Sequence, residues 1–124
     1  TGYKVSFPFF KDPELTPQEN RFPLFKRMVK PGYENLFFLA LAQPLPTLVN
    51  FAEQQSKLLA ALISGEYTLP SAEEMHRITA ADEKTHMGHF YQAARHTMQV
   101  DFNTYVRDLM QELDKGRKRA RIAA

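Results

Sequence analysis

Leu36-Phe37-Phe38-Leu39-Ala40-Leu41-Ala42-Gln43-Pro44-Leu45-Pro46-Thr47 is the stretch on which the reading of this chain turns. Its first seven residues are apolar on both faces, the pattern of a strand covered from both sides in the middle of an α/β sheet. Gln43-Pro44-Leu45-Pro46 then breaks the strand, and Thr47 belongs to the residue types that cap a helix start. A chain of 124 residues with only two or three strands has little material to cover such a strand twice. The sequence therefore reads as the closing segment of a larger protein, beginning mid-element at Thr1.

Upstream of that stretch, Val5, Phe7 and Phe9 alternate with Lys4, Ser6 and Pro8, which predicts a short extended piece limited to an edge by Pro8. Pro13, Pro17 and Pro23 among charged residues predict a surface loop, and residues 24–29 a second strand stopped by Lys30-Pro31-Gly32. Downstream, Leu48, Phe51, Gln55, Leu58, Leu59 and Leu62 keep helical spacing with Glu53, Gln54 and Lys57 on the wet side, and Gly65 closes that helix. Ser71 and Glu74 form a capping box for a second helix that carries Met75 and Ile78 inward and runs to about His96, weakened at Gly88. A third, capped by Asp101, buries Phe102, Tyr105, Val106, Leu109, Met110 and Leu113 and ends at Gly116. As an isolated chain the expected class is α+β, two or three short strands followed by three helices.

Composition bounds the function. With 44% hydrophobic and 24% charged residues the chain is of globular type. The absence of cysteine excludes disulfides, thiolate metal sites and cysteine nucleophiles, and agrees with a reducing, cytoplasmic setting. No basic-then-apolar leader follows Thr1, and the longest apolar run is far short of the ~20 residues that span a bilayer. Lys115, Arg117, Lys118, Arg119 and Arg121 supply five of the sixteen basic residues, and the eleven that remain face fourteen acidic ones, a balance of about −3. This basic run lacks interleaved aromatics to stack on bases, so it reads as a solvated, partly frayed terminus rather than a nucleic-acid site.

Candidate chemistry is sparse. Glu83, His86 and His89 lie three apart on one helical face with His96 two turns beyond, but a zinc or iron site needs a further ligand from another element, and no metal is assigned. No serine sits on a Gly-x-Ser-x-Gly turn, and Asp82 with Glu83, or Glu73 with Glu74, point to different sides of a helix. No residue is assigned as catalytic. The junction from strand to helix at Gln43-Pro44-Leu45-Pro46 is the better candidate, because ligands of open α/β sheets bind at the carboxyl ends of strands. A helix start there offers free amides and a partial positive charge. Pro44 and Pro46 remove two amides, which suits the edge of a flat ring better than a phosphate.

The ordered set of motifs resembles one family. Thr1-Gly2-Tyr3 is similar to the alanine-threonine-glycine-tyrosine signature that closes the NADP domain of flavin-containing monooxygenases. Phe7-Pro8-Phe9-Phe10, then Pro23-Leu24-Phe25-Lys26-Arg27-Met28-Val29, resembles that family's aromatic-proline stretch and following strand. Leu41-Ala42-Gln43-Pro44-Leu45 is similar to its Gln-Pro-Leu turn, Leu69-Pro70-Ser71 with Glu74-Met75 to its Leu-Pro-Ser helix start, and Arg95-His96-Thr97-Met98-Gln99 with Asp101-Phe102 to its closing region. Pro46 departs from the glycine usual after Gln-Pro-Leu. The two glycine-rich phosphate loops of the family are not here, since Gly2, Gly32, Gly65, Gly88 and Gly116 are isolated.

The resemblance implies the C-terminal part of an α/β flavoprotein with two dinucleotide-binding domains. Residues 1–46 would complete its FAD-type domain, residues 47–116 form a C-terminal helical segment, and residues 117–124 a basic tail. It implies an NADPH- and FAD-dependent monooxygenase that oxygenates soft nitrogen or sulfur nucleophiles through a flavin C4a-hydroperoxide, not catalytic as this chain alone. FAD and NADP would be held mainly by regions outside it. Gln43, Pro44, Leu45 and Thr47 would lie by the flavin ring, and Gly2, at the hinge between the nucleotide domains, would allow close backbone approach. Its partners would be the remaining FAD and NADP domains, as covalent or separate chain, a small amine or sulfide, and in a homo-oligomer a second copy. Two other readings stand beside it: a non-catalytic interaction module derived from this family, and a small helical protein that binds an acidic partner through its basic tail.

Overall fold

Phe51, Gln55, Leu58 and Ala61 repeat at the three- and four-residue spacing of a helix, and all four are buried. They line the inner face of α1 (Leu48–Ser64) in a computed structural model that describes residues 4–18, 22–33, 35–45, 48–87 and 99–123. The order of elements is a 3-10 turn (Pro13–Leu15), β1 (Gln43–Leu45), α1, α2 (Ala72–Met87), β2 (Gln99–Asp101) and α3 (Phe102–Ala123). The described chain is thus mostly helical, with two strands of three residues each.

The helix ends follow local chemistry. Gly65, at φ +84, closes α1, and the amides of Glu66 and Tyr67 return to the Ala61 carbonyl at 2.9 and 3.1 Å. Ser71 Oγ accepts the Glu74 amide at 3.2 Å to start α2, while the Glu74 carboxylate turns to Arg77. Asp101 caps α3, accepting the Asn103 amide at 3.2 Å and the Thr104 hydroxyl at 3.0 Å. Met75 is buried and Ile78 packs against the core. The stretch expected to carry α2 on to His96 lies, from residue 88, outside the described residues.

β1 and β2 pair in parallel, with Gln43 opposite Gln99, Pro44 opposite Val100 and Leu45 opposite Asp101. Each strand leads toward a helix, so α1 and α3 begin side by side and run in the same direction. The Phe51 and Tyr105 rings stack near the two starts, 4.5 Å apart and 26° from parallel. Near the far end the Tyr67 hydroxyl donates to Glu112 at 2.6 Å. Between them Leu58, Ala61, Leu109 and Leu113 form the core, joined by Phe25, Met28 and Val29 from the N-terminal region.

Several expectations are corrected. Residues 36–42 are not a doubly buried strand. Phe37 makes a single bridge to Val29, Leu36, Phe37 and Phe38 are half-buried, Leu39 is 41% exposed, and Ala40 turns the chain at φ 63. The run is apolar because its residues serve different partners: Phe37 packs on the core, whereas Phe38 joins Phe7 and Phe22 in a triangle of rings at 5.3 Å. The argument for missing cover over this strand loses its premise. Residues 24–29 form a tight turn rather than a strand, with Lys26 at φ 51, Arg27 at φ 58 and a Phe25–Val29 bridge across it. The alternation from Val5 to Phe9 is not a strand either, because Phe10 N–H closes a turn on the Phe7 carbonyl at 3.1 Å.

Gly116 does not end the third helix, which continues to Ala123. A Cβ at Gly116 would overlap the Tyr67 ring, so the missing side chain is where that ring lies against α3. The basic residues after it are therefore helical rather than a frayed tail. Arg119 pairs with the buried Glu112 carboxylate, donates to the Thr68 carbonyl at 2.8 Å and covers the Tyr67 ring.

Candidate functional site

The junction singled out in the sequence is the carboxyl end of β1. Gln43, Pro44 and Leu45 are β1, in parallel register with β2. Thr47 and Gly2, the other two residues expected to contact a cofactor, lie outside the described residues. What the sequence did not offer is the partner strand, which brings the α3 start beside the α1 start. The candidate edge is thus the end of a parallel pair flanked by two helix starts.

The two starts differ electrostatically. The α3 start is capped by the Asp101 carboxylate, whose negative charge offsets the partial positive charge of the helix end. The first turn of α1 carries no acidic side chain. It instead presents Leu48 and Val49, 45% and 77% exposed. Pro44 supplies no amide to a ligand or to the ladder. Exposed aliphatic carbons at a helix start without acidic side chains in its first turn fit a flat ring that carries partial negative charge on one edge. They do not fit a phosphate, which needs several convergent amides.

Beneath the junction lies a neutral polar network that sequence reasoning passed over. Gln55, fully buried, accepts the Ala40 amide at 2.7 Å through Oε1 and donates through Nε2 to the Tyr105 hydroxyl at 2.9 Å. Tyr105 in turn donates to the Lys26 carbonyl at 2.5 Å. Burial pushes the Tyr105 phenol well above its ordinary range, so it stays a donor. The Lys26 ammonium pairs with Asp82 of α2 at 3.1 Å. The available signal was a glutamine set four residues after Phe51 in an otherwise apolar stripe.

Other polar groups stand apart from the junction. Asp12 caps the 3-10 turn and accepts from Tyr33, which, together with the Glu14 amide, holds its carboxyl below the usual range. The same hydrogen bond pushes Tyr33 up to about 12. An open groove of about 640 Å³ runs past Glu14, Phe22, Lys30 and His76, and among the described residues none that lines it belongs to β1, β2 or the first turn of α1 or α3. Among the described residues no cluster of three or more His, Asp or Glu side chains could hold a metal, and no helix is long and apolar enough to cross a membrane. His89 and His96 lie outside the described residues.

Comparison with known proteins places this geometry in a lineage. The family described as FMO-like, flavin-binding monooxygenase-like, matches residues 1–119. The chain is 33% identical over 116 residues to flavin-containing monooxygenase 5 of Homo sapiens, an alignment covering 91% of this chain and 21% of that protein. It is 31% identical over 104 residues to flavin-containing monooxygenase 5 of Oryctolagus cuniculus, covering 82% and 19%. With flavin-containing monooxygenase FMO GS-OX-like 2 of Arabidopsis thaliana it shares 40% identity over 84 residues, covering 65% and 18%. The chain spans about a fifth of the length of these curated relatives. From the match across nearly its whole length, this chain belongs to the flavin-binding monooxygenase-like family.

Proposed function

We propose that this chain is the C-terminal portion of an NADPH- and FAD-dependent monooxygenase acting on soft nitrogen or sulfur nucleophiles in the cytoplasm. Residues 1–46 complete an FAD-type domain and residues 47–116 form its C-terminal helical segment. Residues 117–123, which hold most of the basic run, continue α3 rather than forming a separate unit. The reading is carried by one observation: the Gln43-Pro44-Leu45 strand precedes a helix whose first turn is aliphatic and free of acidic side chains, in a chain matched over residues 1–119 by a flavin-binding family.

When bound, the flavin, reduced by NADPH, supplies the activated oxygen that is transferred to the substrate. The role of this chain is positioning and exclusion of water. Gln43 and Leu45 would offer backbone groups to the ring edge, the α1 start would stabilise its electron-rich side, and Leu48 and Val49 would exclude water from that side. Thr47 would join that contact, and Gly2 would allow close backbone approach at the hinge between the nucleotide domains. The phosphates are held by the remaining FAD and NADP domains, joined covalently or as a separate chain.

A chimera tests this. Residues 1–119 replace the matching segment of a flavin-containing monooxygenase, and NADPH consumption and oxygenated product are followed with a tertiary amine and a sulfide. The expected result is a folded chimera that binds FAD stoichiometrically and forms product, while the 124-residue chain alone binds no FAD tightly. A folded, FAD-loaded chimera that yields no oxygenated product would sink the proposal and favour a non-catalytic interaction module.

A further inference from the structure

Among the described residues, three without glycine's freedom adopt left-handed backbone, Lys26 (φ 51), Arg27 (φ 58) and Ala40 (φ 63). Such conformations persist only where the surroundings over-determine them, and they cluster at functional sites. All three converge on one buried side chain. Gln55 takes the Ala40 amide at 2.7 Å, reaches the Arg27 carbonyl at 3.5 Å, and touches Tyr105, which holds the Lys26 carbonyl.

We infer that Gln55 is the positioning residue of the β1–α1 junction: its carboxamide fixes the Ala40 turn, and thereby where Gln43-Pro44-Leu45 emerges beside the helix starts. The inference deepens the proposed function and rests on it for the link to flavin, though not for its geometry. The direction of each hydrogen bond requires glutamine. Tyr105 has one proton and gives it to Lys26, so its oxygen must accept from Gln55 Nε2. That turns Oε1 toward the Ala40 amide, three residues before β1. A side chain serving only to fill the core would be aliphatic, like Leu58 one turn on.

The network also reaches α2, because Lys26 pairs with Asp82. The charged groups around Gln55 and Tyr105 are therefore Lys26 and Arg27 from the turn and Asp82 and Glu83 from α2. They are balanced in sign, two cations against two anions, which leaves the neutral amide and phenol to set the geometry.

The test uses amide exchange on the full 124-residue chain, isotopically labelled, read as protection relative to intrinsic rates. In Gln55→Leu, protection at Ala40, Gln43 and Leu45 falls about tenfold or more, while Leu58 and Leu109 keep theirs. Gln55→Glu supplies a second arm. The neutral acid at pH 4 still accepts the Ala40 amide and can donate to Tyr105, so protection at Ala40 is retained there, whereas leucine at this position can accept nothing. A uniform fall across all amides in Gln55→Leu, or Ala40 protection in Gln55→Glu at pH 4 no higher than in Gln55→Leu, would overturn the inference. Neither arm involves flavin, so its failure is separate from failure of the chimera.

Discussion

Where α1 and α3 begin, the contacts are neutral: a Phe51–Tyr105 stack and the Gln55 amide beneath it. Where they approach their far ends, the contacts are ionic and tight, with Tyr67, Glu112 and Arg119 around Gly116. The difference separates two tasks. The far end locks the helices together with a buried carboxylate that has its own cation, so Arg119 is structural rather than available to a partner. Between the two helices the near end relies on an amide, a phenol and stacked rings rather than on an ion pair. A buried charge there would compete with any electron-rich ligand.

The comparison can be broken most severely at the ionic end. Arg119→Leu leaves Glu112, 3% exposed, without its cation and should lower unfolding free energy in urea by about 3 kcal/mol. The double variant Glu112→Leu with Arg119→Leu should recover most of that loss, because the buried charge is gone. Equal losses in the single and double variants would show that the pair carries no charge-specific role.

Gly116→Ala comes next. Its Cβ would overlap the Tyr67 ring, and although alanine favours a helix, a net loss of about 1–2 kcal/mol is expected in thermal unfolding. At the neutral end the sign reverses. Ala40→Gly relieves a left-handed residue, and a gain of about 0.5 kcal/mol is expected after the added freedom of the unfolded chain is subtracted. A loss there would mean that the turn is not strained.

The smallest effect lies away from both ends. Tyr33, raised from 10.0 to about 12 by its hydrogen bond to Asp12, favours the protonated form in the folded state. Its contribution to stability is complete below about 10 and is lost as the pH climbs toward 12. An NMR titration of the ring carbon should show this midpoint, and Asp12→Asn should move it back toward 10.

What the sequence made legible was local. The α1 span, the Ser71 and Asp101 caps and the glycine stop at Gly65 each follow from hydrogen bonds that neighbouring residues must satisfy. The run from Leu36 to Ala42 misled because an apolar string does not say how many partners it has; here Phe37 and Phe38 go to different clusters. Gly116 misled for a related reason. A glycine that ends a helix and one that admits a neighbouring ring are the same letter, and only Tyr67, from another element, decides between them. Of the candidate site, Gln43, Pro44 and Leu45 do precede a helix, but the sequence reads them as the break that ends a strand, whereas they are themselves β1, and their strand partner could not be read from periodicity.

That partner has a kinetic consequence. Gln43 and Gln99 are fifty-six residues apart, and a parallel pair needs the whole intervening crossover. The hairpin at Phe25–Val29 closes over four residues, so its loop-closure cost is far smaller. The junction is therefore expected to be among the last parts of this segment to assemble, waiting on α1 and α2. A slowed refolding phase tracking substitutions in Gln99–Asp101, with the early helical signal unchanged, would be its signature.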